Sequence, residues 1–159
     1  MGIYSGANLT ATYTAAQLLE GGAPAVGDVF IARNGKRYRF VKFNNGAGNV
    51  ASVAGNFAYI YAVSGASAGE YNEVTMDLTD TAGIGAGVFQ SVIADGSYGW
   101  IQTWGVATLT TALTAGADGN ALTPVGATDG TLDVSALVTD HICAIAIDAS
   151  AKLVFVTCP

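Results

Sequence analysis

The 159-residue sequence predicts an all-β fold, an antiparallel β-sandwich or barrel with hairpins and at most one or two short helices. Three observations predict it. Seven or more short segments alternate or are rich in β-branched and aromatic residues. Clusters of Gly, Asp and Asn punctuate them. Only one window carries helical caps at helical spacing. The reading divides the chain into an N-terminal arm with a short helix, residues 1–25, and a single β domain, residues 26–159.

Composition sets the frame. Hydrophobic residues make up 51% and charged residues 11%, with 21 glycines, which describes a globular, loop-rich and lightly charged protein rather than a disordered one. A chain of this length buries a core without a metal or disulfide. No run of 18 or more apolar residues is present, so no transmembrane helix is expected. Met1-Gly-Ile-Tyr-Ser has no basic n-region and no continuous apolar h-region, so synthesis in a cytoplasm is expected. Cys143 and Cys158 then read as two buried thiols. The net charge of −6 disfavours a nucleic-acid binder. Five of the six basic residues, Arg33, Lys36, Arg37, Arg39 and Lys42, nevertheless fall within ten positions.

Taken in order, residues 1–13 lack periodicity and read as an arm. Thr14 is a helix N-cap with Gln17 completing a capping box, and Gly21-Gly22 stops the helix after about two turns. Val26–Arg33 and Lys36–Phe43 flank Asn34-Gly35, the strongest short-range hairpin signal. A two-residue turn pairs Ile31 with Tyr38 and Val29 with Phe40 on an apolar face. It places Phe30, Arg37 and Arg39 together on the other. Val50–Val63 is a further β run broken at Gly55-Asn56, and Ser64–Gly69 is a small-residue linker. From Tyr71 the alternation sets Tyr71, Glu73, Thr75, Asp77 and Thr79 opposite Val74, Met76 and Leu78, a one-sided strand.

Gly83-Ile-Gly-Ala-Gly87 reads as a turn into the central stretch. There Asp95-Gly96 predicts a two-residue hairpin that sets Ile93 against Tyr98 and Ser91 against Trp100. Tyr98, Trp100, Gln102 and Trp104 share one strand face, Gly99, Ile101, Thr103 and Gly105 the other, and both tryptophans are expected in the core. Val106–Leu113 extends the sheet. Residues 115–120 and 126–130 are turns, Val134–Asp140 is a short helix or irregular crossing, and Ile142–Ile147 and Leu153–Thr157 are the last strands.

The residues that could carry chemistry do not assemble into a catalytic set. His141 and Cys143 suggest a dyad or a zinc ligand pair, but zinc needs three or four ligands and a dyad needs an orienting group. Gly83-x-Gly85-x-Gly87 lacks the dinucleotide-loop spacing. Asp118, Asn120, Asp129 and Asp133 are explained by turn chemistry, without the terminal acidic residue of a calcium loop. Asn8-Leu9-Thr10 matches the glycosylation triplet, which has meaning only on secretion. The expectation is therefore a non-enzyme with no catalytic residue, no metal and no cofactor. The basic hairpin has two readings, a docking surface for an acidic partner formed by Phe30, Arg37 and Arg39, or charged protection of an exposed edge.

Tyr98-Gly-Trp-Ile-Gln-Thr-Trp-Gly-Val-Ala107 resembles the decoration, or cement, proteins of tailed-phage capsids. Gly116–Leu122, Ile142–Asp148 and Val156–Pro159 continue the resemblance, which covers roughly residues 71–159 and leaves the basic hairpin outside it. It implies a structural virion protein on the capsid surface, made in the host cytoplasm, that binds the major capsid protein and stabilises the shell. It implies a homotrimer that engages neither nucleic acid nor membrane. The alternative function is a tail or fibre-tip module that binds a host glycan through Trp100, Trp104 and the tyrosines. A small hydrolase is the third reading, and it lacks a triad.

Overall fold

The computed structural model describes residues 3–4, 6–61 and 72–159. The predicted linker Ser64–Gly69 and the start of the Tyr71 strand lie outside the described residues. The fold is all-β. Its strands are β1 (Ile3–Tyr4), β2 (Val29–Ile31), β3 (Arg37–Phe43), β4 (Phe57–Tyr61), β5 (Glu73–Thr75), β6 (Thr81–Phe89), β7 (Tyr98–Thr108), β8 (Ala121–Thr123), β9 (Asp133–Val134), β10 (Ala144–Asp148) and β11 (Leu153–Thr157). The helix α1 (Ala15–Leu19) and a 3₁₀ turn at Leu78–Asp80 complete it.

β7 is the spine. Its first half pairs with β3 on one side and β6 on the other, and the chain of neighbours β3-β5-β4-β6-β7 returns to β3, which closes a five-stranded barrel. Val41 and Phe43 from β3, Ile60 from β4, Val74 from β5 and Ile101 from β7 fill it. All five are at most 1% exposed. The second half of β7 leaves the barrel and pairs with β11, which continues through β10 and β8 to β9. The inner face of this outer sheet, with Leu122, Ala144, Ala146, Val154 and Val156, packs on Phe57 and Tyr59 from the outside of the barrel.

The arm forms a third layer. The capping box is present as the sequence predicts: Thr14 accepts from the Gln17 amide, and Gln17 returns a bond to the Thr14 amide at 2.8 Å. Leu9, Tyr13 and Leu18 cover Tyr38, Phe40 and Trp100 on the barrel's outer surface. Tyr13 and Tyr98 exchange backbone bonds of 2.9 and 2.8 Å, which holds the arm to the spine.

Three local expectations are corrected. Gly83–Gly87 is not a turn but the middle of β6. The glycines are there because neighbours distant in sequence press against them: a Cβ on Gly85 would sit 2.6 Å from Cys143 Sγ, and one on Gly87 would overlap the Gln102 carbonyl oxygen. Asp95-Gly96 does turn, with the Ser97 amide bonding Ala94 O at 3.0 Å, but residues 91–94 leave the ladder. Ser91 therefore does not oppose Trp100. Ile93 instead enters the barrel, its amide bonded to Ser52 Oγ at 2.7 Å. Around β5 the expected one-sided strand is covered on both sides, with Glu73, Val74 and Thr75 all buried, because β5 sits between β3 and β4 in the closed barrel.

The 3₁₀ turn fastens the loop at 44–50. Asp77 accepts the Gly48 amide at 2.7 Å and both the amide and hydroxyl of Thr79, while Asp80 accepts the Ala47 amide. Burial works to raise the Asp77 pKa, but these donated bonds outweigh it and hold the carboxyl below its ordinary value. A depressed folded-state pKa contributes stability above the unfolded value, and that stability is lost as pH falls through the folded one. We expect the protein to lose stability from about pH 4 downward, and Asp77→Asn to flatten that acid limb in urea titrations. An unchanged acid limb would remove Asp77 as its source.

Candidate interaction surface

Register decides what the basic hairpin presents. Ala32 and Lys36 pair across a three-residue loop, with the Gly35 amide bonding Ala32 O at 3.0 Å and Gly35 at φ +82°. This is a type I turn followed by a left-handed glycine, whereas the expected two-residue type I′ turn needs positive φ at Asn34 as well. The hairpin exists, but its register is shifted by one: Val29 opposes Arg39, Phe30 opposes Tyr38 and Ile31 opposes Arg37.

The shift divides the predicted trio. Phe30 stacks on Tyr38 with ring centroids 6.1 Å apart and joins the cluster beneath the arm. Arg37 and Arg39 lie on the other strand face, Arg37 exposed and Arg39 half-buried. Of the remaining cations, Lys42 pairs with Glu73 at 3.0 Å. The stem of Lys36 lies against Gly105.

Arg37 has an aromatic partner that the sequence reading placed elsewhere. Between β3 and β7 the register shifts, Tyr38 opposing Gln102 but Arg37 opposing Trp104, so Thr103 is the extra residue of a β-bulge. The bulge separates the two tryptophans. Trp100 is 1% exposed in the core, while Trp104 turns out, half-buried. The expectation that both are core residues holds for Trp100 alone. The Arg37 guanidinium lies 4.7 Å from the Trp104 ring centroid, and that ring meets Phe155 edge-on at 5.4 Å.

Trp104 and Phe155 begin an apolar surface. Register places Val106 opposite Phe155, and Phe155 opposite Ile145, all on the outward face of the outer sheet. Val106 is 38% exposed, Ile145 44% and Ile147 41%. The strand Ala144-Ile-Ala-Ile-Asp148 thus turns its alanines inward and its isoleucines to solvent. On the inner side the alanines pack in one buried cluster with Phe57 and Tyr59. Alternation was visible in the sequence, but the usual rule that the larger residue faces inward hides this face.

The other candidates resolve into structural roles. Asp118, Asp129 and Asp133 each accept a backbone amide, from Ala149, Leu78 and Val134 respectively. Among the described residues no three His, Cys, Asp or Glu side chains gather where they could hold a metal ion. His141 Nδ1 accepts the Gly85 amide at 3.4 Å, and burial holds its pKa down. Cys143 and Cys158 are free and buried, and burial pushes the Cys143 thiol up. Among the described residues no helix is long and apolar enough to cross a membrane. Comparison with protein-family models, curated proteins and solved structures finds no match to this chain.

Proposed function

We propose that this chain is a structural virion protein, a capsid decoration protein that binds the major capsid shell and stabilises it. The carrying observation is the inverted outer sheet, which spends its large residues Ile145, Ile147, Val106 and Phe155 on an outward face rimmed by the Arg37–Trp104 pair. Contiguous exposed apolar surface of this kind marks a protein-docking site, and aromatic residues with arginine are what interface centres favour. The similarity of residues 98–107 to cement proteins supplies the class of partner. The glycan-binding alternative loses Trp100, which is 1% exposed, and keeps only Trp104 of its two indoles.

Arginine forks suit carboxylates, so an acidic shell surface is the expected counterpart of the hairpin. Arg37→Glu with Arg39→Glu is expected to leave the fold intact by circular dichroism, at a stability cost that includes about 0.5–1 kcal/mol for the lost cation–π contact of Arg37. It is expected to weaken co-sedimentation with undecorated capsids and to reduce the salt dependence, with the single changes apportioning the loss. A double variant that binds as tightly as the parent, with the same salt dependence, sinks attachment through the hairpin.

A further inference from the structure

We propose that Cys143 and Cys158 are the two halves of a disulfide that closes within the folded chain when the protein meets a small-molecule disulfide such as oxidised glutathione. The inference is independent of what the outward face binds. Both thiols are free in this structure, and both belong to the buried cluster beneath the outer sheet. They stand at the open end of the β10–β11 hairpin: Ala144 opposes Val156, Cys143 precedes that pair and Cys158 follows it.

The backbone spacing suits a crosslink. The Thr157 amide bonds the Cys143 carbonyl at 2.9 Å, so Thr157 is the cross-strand neighbour of Cys143, and Cys158 is the next residue along. One step across strands, about 4.8 Å, and one along a strand, about 3.4 Å, put the two Cα atoms about 6 Å apart, inside the ~4.4–6.8 Å that a disulfide spans. Strict alternation would still send the side chains to opposite faces, with Cys143 outward beside Ile145 and Ile147. Cys143 escapes it. A residue in a regular antiparallel ladder directs its amide and carbonyl to the same neighbour, whereas Cys143 donates to Leu122 O on β8 at 3.0 Å and accepts from β11. That turns the residue out of the pleat and its thiol inward, where it is 0% exposed. Cys158 points to the same place: its Sγ donates to the Cys143 carbonyl at 3.7 Å, and the two thiols are hydrogen-bonded neighbours. Gly85 makes the room, since a Cβ there would sit 2.6 Å from Cys143 Sγ.

Exposure orders the chemistry. Cys158 is 7% exposed and flanked by the exposed Pro159, so it is the thiol that a reagent reaches first. Its thiolate attacks one sulfur of the small disulfide, forming a mixed disulfide and releasing one small thiolate. Cys143 then gives its proton to solvent and attacks Cys158 Sγ, releasing the second. The two cysteines lose two electrons and two protons, and the small disulfide is reduced to two thiols. The new bond closes the loop from 143 to 158, which carries Ile145, Ile147 and Phe155, and so braces the hairpin that presents the outward face.

The test incubates the folded protein with oxidised glutathione at about pH 8, where thiolate is available, and quenches with acid. The intact mass is expected to fall by two hydrogen atoms, and a digest mapped without reductant should join Cys143 to Cys158 in a single chain. The urea midpoint of the oxidised form is expected to rise, because the crosslink restricts the unfolded chain, and to return on adding dithiothreitol. Cys143→Ala, which has no resolving thiol, should stop with one glutathione on Cys158; the parent's mass and map decide the matter even where that variant folds poorly. Thiols that stay reduced, glutathione adducts that accumulate on the parent, links between chains, or a bond that forms only in urea would each overturn the pair. An oxidised form with the urea midpoint of the reduced one would overturn the bracing.

Discussion

Trp100→Ala is expected to lower the unfolding free energy by about 3–5 kcal/mol, the range for large aromatic deletions from a core. Trp100 is 1% exposed and meets Phe40 edge-on at 5.3 Å beneath the arm. Its removal leaves a void between two layers, so neither can collapse without moving the arm off Tyr98. Urea unfolding measures the loss, and proteolysis of residues 6–25 should accelerate in parallel. Fluorescence provides an independent check. Trp104→Phe should leave one blue-shifted, quencher-resistant emission from Trp100, while the parent adds a more accessible component from Trp104. A cost below about 1 kcal/mol, typical of surface positions, would contradict the placement of Trp100.

Gly87→Ala is expected to cost about 3 kcal/mol or more, since backbone strain and overpacking each contribute about 1–3 kcal/mol. Gly87 has φ +149°, and an added Cβ would lie 3.0 Å from the Gln102 carbonyl carbon and closer still to its oxygen. That contact is backbone, so no side-chain rotation relieves it. Gly119→Ala is the control. Gly119 also has positive φ, +83°, but nothing lies within 4 Å of an added Cβ. Only the left-handed conformation is charged there, about 1–2 kcal/mol. Equal melting shifts for the two variants would remove the steric argument for Gly87.

What the sequence made legible follows the range of the interactions. The capping box at Thr14 and Gln17 depends on neighbours three residues apart, and it forms as read. The strand around Trp100 is legible because alternation is also local. The hairpin at Asn34-Gly35 is half legible: its existence follows from the two flanking runs, but the choice between a two- and a three-residue loop depends on which register buries Phe30 and Tyr38 under the arm. One residue of slip was enough to separate Phe30 from the arginines. Gly85 and Gly87 were illegible in kind. A glycine in a turn and a glycine pressed by a distant segment look alike until Cys143 is known to pack on Gly85 and the Gln102 backbone of the paired strand to lie against Gly87. The bulge at Thr103 belongs with these, although Gly105, at φ +99°, is the sort of strand glycine that marks one. The outward face eluded the sequence reading for the opposite reason, since the Ala-Ile alternation was clear and its sense was inverted.

The closure of the barrel on β7 also sets an order of events in synthesis. β3 ends at Phe43, yet the strand that closes its edge begins at Tyr98, and the arm's bridge at Tyr13 waits for that same residue. Loop-closure entropy must be met before such distant contacts return anything, which makes folding slow. A nascent chain emerging from the ribosome therefore carries the hairpin with an unpaired edge until β7 has been translated. Charged side chains blunt an exposed strand edge, and Lys36, Arg37 and Arg39 lie along the edge that waits.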